Sequence, residues 1–199
     1  MSAASAAQSG PADEGRGSAR SVDMDPSLPQ RRVNPTSTAT FHLADADATE
    51  ATGARLAPTL EGGMVVTLSG DLGAGKTTLV RGVLRALGWQ GSVKSPSYPL
   101  VEHYPFPSIY FYHFDFYRFA DPNEWETAGF SDCFHAGSAC LIEWPERVAG
   151  RLPVPDLALT LAYPADASLP GRELAIAAYT KRGETCAAGM IGTSPGRAP

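Results

Sequence analysis

The stretch Gly70–Thr78, "GDLGAGKTT", constrains this chain more than any other. It follows the apolar run "MVVTLS" (64–69) directly and precedes "LVRGVLRAL", so a Gly-rich turn joins a strand-like segment to a helix-like one. Gly70, four residues, then Gly75-Lys76-Thr77 complete the Walker A pattern. Glycines let the backbone curl until several N–H groups point inward, and a helix opening near Lys76 adds the positive end of its dipole. The expected phosphate cradle runs through Asp71, Leu72, Gly73, Ala74, Gly75, Lys76, Thr77 and Thr78. The Lys76 ammonium is suited to the β- and γ-phosphates and the Thr77 hydroxyl to Mg²⁺. The stretch thus predicts a nucleoside triphosphate site at the edge of a sheet.

Such a loop needs acids on neighbouring strand ends, one to hold Mg²⁺ and often another to orient the attacking water. Two positions qualify. Asp115 ends "IYFYHFD", whose residues are apolar or aromatic on both alternating faces, as in a central strand. Glu143 ends "ACLIE" in the same manner. Spacing does not rank the two. His113 alternates with Asp115 on one strand face, where it could orient a site group, although packing is the plainer role. The four histidines have no metal-ligand spacing.

Strands separated by helices imply a three-layer α/β sheet, mixed but mainly parallel. The pattern predicts a short strand at 38–43, a helix over 45–60 with Ala48, Ala51, Leu56 and Leu60 as its stripe, a strand at 64–69 and a helix over 76–88. Strands "YPLVEHY" and "IYFYHFD" follow, then a helix start at Asp121-Pro122-Asn123-Glu124, and the strand "ACLIE". "DLALTLAY" and "RELAIAAYT" close the domain as an antiparallel hairpin. Residues 1–37 hold four arginines, four acids and almost no large apolar side chain, which predicts a disordered tail. Residues 183–199 read as a second loose tail, leaving 38–182 as the folded domain. Ten of the eighteen aromatics fall between Tyr98 and Phe119, where core packing accounts for most of them.

Composition narrows the function. A net charge of −5 with only three lysines gives no overall attraction to RNA or DNA. Three cysteines without a C-x-x-C pair suit free thiols in a reducing cytosol. No apolar run has the length of a membrane span.

Beyond the loop, the segments "VKSPSYPLVEHY", "YHFDFYRFADPNEW", "CLIEWPERVAGRLP" and "PDLALTLAY" follow in order. With the lead-in "ATEATGARLA", this arrangement over about 38–180 resembles the bacterial TsaE family, the ATPases of tRNA threonylcarbamoyladenosine biosynthesis. The resemblance implies a P-loop NTPase fold binding ATP and Mg²⁺. It also implies two partner proteins, TsaD and TsaB, whose complex places threonylcarbamoyl on adenosine 37 of tRNAs reading codons that begin with A. Hydrolysis on that complex would support its turnover, with tRNA met indirectly and neither DNA nor membrane involved. Carried over, Lys76 and Thr77 are the Walker A pair, Asp115 a Mg²⁺-associated acid, and Glu143 a Walker B-like acid near the metal and the attacking water. Trp144 and Arg118 also match family positions, and Thr49 matches a nucleotide-proximal threonine. Ser95-Pro96-Ser97-Tyr98 aligns with a switch-like Ser-Pro-Thr-Phe segment, with Ser for Thr and Tyr for Phe.

Three other classes remain open at this point. A small-molecule kinase needs an Arg-rich lid, whereas Arg118, Arg147 and Arg151 are scattered. A GTPase needs Lys-x-Asp in its guanine signature, which neither Lys94 nor Lys181 supplies. A non-hydrolytic nucleotide scaffold needs only the loop.

Overall fold

Central strands that are apolar on both faces demand cover above and below, and the architecture follows from that demand. The computed structural model describes residues 33–121 and 123–192. Strand β1 (Ser37–Leu43) leads to helix α1 (Ala46–Leu56), β2 (Val65–Ser69) and α2 (Lys76–Ala86). Strands β3 (Val101–Pro105) and β4 (Tyr110–Asp115) precede the short α3 (Asn123–Thr127) and β5 (Ser138–Glu143). Strands β6 (Leu157–Ala162) and β7 (Arg172–Ala178) and helix α4 (Lys181–Ile191) complete the fold. One seven-stranded sheet has the order β1-β7-β6-β2-β5-β4-β3. The adjoining strands β6, β2, β5 and β4 are parallel; β7 and β3 pair antiparallel to their neighbours, and β1 antiparallel to β7. The mainly parallel sheet and the antiparallel β6–β7 hairpin match the pattern read from the sequence.

β2 and β5 are buried on both faces, whereas β6 and β7 alternate buried and open positions. On one face Leu79, Val80, Val83 and Leu84 of α2 join Leu56 of α1 and Met190 of α4 over Val66, Leu141 and Leu159. On the other, Phe114, Phe116, Phe119, Trp125 and Phe130 form an aromatic layer over Val65 and Ile142. Most of the aromatic run is therefore core, as expected, although Tyr98 and Tyr110 are exposed.

Helices α1 and α2 meet through two glycines. A Cβ on Gly53 would lie 2.0 Å from the Leu79 carbonyl oxygen, and one on Gly82 would lie 1.9 Å from that of Glu50. Only hydrogen fits at this crossing. The approach turns α1 so that Thr49, Thr52, Gly53 and Leu56 are buried; of the expected stripe, Leu56 is buried and Ala48 and Leu60 pack against the core, whereas Ala51 is exposed.

Two boundaries differ from the sequence expectation. β3 begins at Val101 rather than Tyr98, because Leu100 takes a left-handed conformation (φ 64°) that ends any extended run. Pro122 lies outside the described residues, but α3 starts beside it as foreseen. Residues 183–192 are not a loose tail. They belong to α4 and its cap, and Gly183, Cys186, Ala187 and Met190 pack inward at i, i+3, i+4, i+7 spacing. Thr180 caps this helix by accepting from the Gly183 N–H at 3.1 Å. The buried Asp156 carboxylate anchors it by accepting from Thr180 Oγ1 at 2.6 Å, Arg182 Nη2 at 3.2 Å and the Val65 N–H at 3.0 Å. The reading of residues 1–32 and 193–199 as tails lies outside the described residues.

Two outcomes follow from this packing. Gly82→Ala in an exposed helix would gain about 1 kcal/mol, but here the clash should dominate and cost about 1–3 kcal/mol. Thermal melting by circular dichroism should show a drop of about 2–4 °C per kcal/mol; an unchanged or raised midpoint contradicts the close crossing. The three cysteines are free thiols, and burial pushes Cys140 up to about 12 and raises Cys133 and Cys186. Since the thiolate is the reacting species, an aromatic disulfide reagent at pH 8 should reach Cys140 and Cys186 only after unfolding. Prompt native reaction of either would contradict their burial.

Candidate functional site

Gly70–Gly75 follow β2 at the carboxyl edge of the parallel strands, the usual place for ligands in open α/β sheets. Gly75 takes φ 108° as it hands the chain to α2, a value that a side chain would strain. Helix α2 then presents its N-terminal N–H groups, which have no carbonyl partner within the helix. Across the sheet, Glu143 is in register with Leu68 of β2 on one side and Asp115 of β4 on the other. Both predicted acids therefore stand level with the start of the loop.

The side chains interlock. Thr77 Oγ1 donates to Glu143 Oε1 at 2.7 Å, and His113 Nε2 lies 2.9 Å from the same oxygen. Asp115 Oδ1 accepts from the Tyr117 N–H at 2.9 Å, and Asp115 Oδ2 accepts from Ser95 Oγ. Glu143 and Asp115 are each 3% exposed and Lys76 is 4% exposed. Burial holds Lys76 below the ordinary lysine value, and the charges of Glu143 and Asp115 partly oppose that shift. Its Nζ donates to the carbonyls of Gly70 (2.7 Å) and Asp71 (2.9 Å) and lies 4.1 Å from the centre of the Trp144 ring. Trp144 has a left-handed backbone (φ 58°) and also packs on Tyr117, with ring centres 5.0 Å apart.

These groups surround a cavity of about 430 Å³. Leu72, Gly73, Gly75, Lys76, Thr77, Thr78, Asp115 and Glu143 line it, together with Ser95, Ser97, Tyr117, Arg118 and Trp144. A second cavity, about 340 Å³, shares Gly73, Gly75 and Thr78 and is lined further by Asp45, Thr49, Ala74 and Arg172. The methyl group of Thr49 lies 3.6 Å from where a Cβ on Gly75 would stand, so α1 brings this residue onto the loop. Asp71 lines neither cavity; its side chain is exposed, and its carbonyl serves Lys76 and the Ala74 N–H. The Ala74 side chain belongs to the core.

Sequence reasoning missed Arg172 and Tyr163. Arg172 stacks on Tyr163 at 4.0 Å and donates from Nη2 to the Gly73 carbonyl at 3.2 Å. Nothing in their local sequence signals this, because sheet order alone brings the hairpin beside the loop. The switch-like segment is half engaged: Tyr98 is 82% exposed with the Arg118 guanidinium 4.7 Å from its ring centre. Among the described residues no group of three or more His, Cys, Asp and Glu side chains could hold a metal by itself. Chemically, the site sets a buried ammonium and the N-terminal N–H groups of α2, donors suited to an anion, against two buried carboxylates.

A curated relative from Haemophilus influenzae, "tRNA threonylcarbamoyladenosine biosynthesis protein TsaE", is 48% identical over 124 residues, covering 62% of this chain and 76% of that protein. The protein of the same name from Treponema pallidum is 38% identical over 118 residues, 59% of this chain and 84% of its own. The crystal structure of YdiB from Bacillus subtilis superposes with a TM-score of 0.63 at 27% identity, covering 78% of this chain and 95% of that one. The family model for threonylcarbamoyl adenosine biosynthesis protein TsaE matches residues 43–173, from the end of β1 into β7, and the chain belongs to that family.

Proposed function

We propose that the chain binds ATP with Mg²⁺ at the Gly70–Thr78 loop and hydrolyses it in support of tRNA threonylcarbamoyladenosine synthesis. The partners would be TsaD and TsaB, whose complex performs the transfer to adenosine 37. What supports this most is a convergence: buried Lys76, Asp115 and Glu143 and half-buried Thr77 surround one cavity at the carboxyl edge of the parallel strands. A polyphosphate suits that cradle, since it could replace the Gly70 and Asp71 carbonyls as partner of the Lys76 ammonium. The second cavity, beside Thr49 and Arg172, is the neighbouring space for the nucleoside half.

Thr77, Asp115 and Glu143 would hold the metal. One hydroxyl and two carboxylates form a sparse donor set, which suits Mg²⁺ because it keeps several waters and takes phosphate oxygens as ligands. Bound there, Mg²⁺ would neutralise charge on the terminal phosphates. Glu143 would accept the proton of the attacking water, and Lys76 would hold the phosphate charge. Slow turnover alone is consistent with the contacts present. Asp115 is taken up by Ser95 and Tyr117, and Lys76 is turned toward loop carbonyls beside Trp144, so these groups must repack to act. Partner binding would favour the repacked state.

Lys76→Ala should abolish ATP-dependent restoration of threonylcarbamoyladenosine in cells lacking the family protein, read by nucleoside mass spectrometry. Full restoration by that variant would sink the ATP reading. Glu143→Gln keeps an oxygen for Thr77 and His113 to meet, so it should still bind ATP, with affinity lowered far less than turnover. Its hydrolysis with the partner complex should fall about 10²-fold or more, the usual size of a lost general base. Unchanged hydrolysis removes Glu143 from the chemistry, and efficient phosphorylation of a small acceptor without partners would favour a kinase instead.

A further inference from the structure

His113 is fully buried within β4, where its strand-mate Phe111 two residues earlier is simply core. An imidazole in such a place costs stability unless its polar atoms find partners. Nε2 finds Glu143 Oε1 at 2.9 Å, while Nδ1 is buried without a hydrogen-bond partner among the described residues. Register explains the contact. His113 lies opposite Leu141 on the parallel strand β5, so Glu143 is its diagonal neighbour one pleat closer to the loop. Diagonal neighbours on one face are within reach of long side chains.

An ionised carboxylate only accepts, so Nε2 carries the hydrogen and donates it. Glu143 Oε1 therefore receives two donors from two different elements, Thr77 on α2 and His113 on β4; neither reaches Oε2. The two donors differ in kind. The Thr77 hydroxyl turns freely about its C–O bond and is the group that would also serve a metal. The His113 ring is enclosed and holds one direction.

We propose that His113 is a positioning residue for Glu143. Its Nε2–H fixes Oε1 and thereby the rotation of the carboxylate, which leaves Oε2 for the reacting water. The assignment rests on the hydrolytic reading of Glu143 given above.

The test uses the full chain with its partner complex and two variants. His113→Phe keeps a ring and removes the donor, whereas His113→Gln retains an N–H at similar reach. MgATP affinity by calorimetry should change less than about threefold in both, while kcat of His113→Phe falls about 10–100-fold, the usual cost of losing such an outer partner. His113→Gln should recover most of that loss. Wild-type kcat in His113→Phe overturns the proposal. So does a His113→Gln variant as slow as His113→Phe, or a loss of binding that matches the loss of rate. Should His113→Phe not fold, long-range ¹H–¹⁵N spectra of the wild-type chain decide. A neutral ring protonated at Nε2, with signals that shift in Glu143→Gln, supports the proposal; an Nδ1–H ring, or one indifferent to Glu143, overturns it. A wild-type chain that hydrolyses no ATP with its partners sinks the hydrolytic reading alone, and the same spectra then settle whether His113 holds Glu143.

Discussion

The hydrogen bond from Thr77 to Glu143 ties the first turn of α2 to the tip of β5, and the rest of the site is arranged around it. It forms only because β2 and β5 are adjacent and parallel, so a helix leaving one strand opens above the end of the next. Both partners are largely shielded from water, which makes the bond stronger and the loss of either partner more costly than at a surface. The core beneath supplies the rigidity. Leu79, Val80, Val83 and Leu84 seat α2 on the sheet, and the Gly53–Gly82 crossing locks α1 behind it, with Thr49 against Gly75. A shift of α2 by a fraction of an ångström would move Lys76 and Thr77 together. Glycines at the crossing are thus part of the site's geometry although they touch none of its chemistry.

Much of this was legible in the chain. The turn between an apolar run and an amphipathic one named the loop, Lys76 and Thr77 directly, because loop and helix are contiguous in sequence. Asp115 and Glu143 were legible as strand-end acids, since a strand that is apolar on both faces must be central and its last polar residue must emerge at an edge. Their exact alignment was not, because register is a property of two strands. His113 shows the limit clearly. Alternation placed it on the face of Asp115, yet its partner sits on another strand 30 residues away, and packing was the plainer expectation.

Other features escaped for different physical reasons. Helix α4 buries mostly small residues, Gly183, Cys186 and Ala187, with Met190 as the large apolar member, so its stripe is weaker than those that usually announce a helix. Its stability comes instead from Thr180 and the buried Asp156, the latter fixed by groups 24 to 91 residues distant in sequence. Arg172 and Tyr163 come to the loop through the order β7-β6-β2, which no local pattern encodes. The start of β3 shifted where the backbone turned left-handed at Leu100, whereas Trp144, also left-handed, follows β5 where the sequence had already ended that strand. Such conformations cost about 1–3 kcal/mol each and persist where surrounding contacts impose them. Here those contacts are the hydrogen bond from the Leu100 N–H to the Pro96 carbonyl and the packing of Trp144 on Tyr117 and Lys76.

Charge balance explains why a polyphosphate and a metal belong together in the proposed reading. Lys76 and Arg118 carry two positive charges around the cavity, and Asp115 and Glu143 carry two negative ones. The cavity wall is thus near neutral, and Lys76 is already weakened as a cation by burial. A bare triphosphate would bring about four negative charges toward two fixed carboxylates. At about 4 Å and an effective dielectric near 20, each such contact costs about 4 kcal/mol, more than one partly compensated ammonium can offset. A divalent cation held by Thr77 and the acids would turn those repulsions into attractions. In that reading, the carboxylates that would make the cradle a poor site for a free anion would make it a selective one for an anion already paired with Mg²⁺.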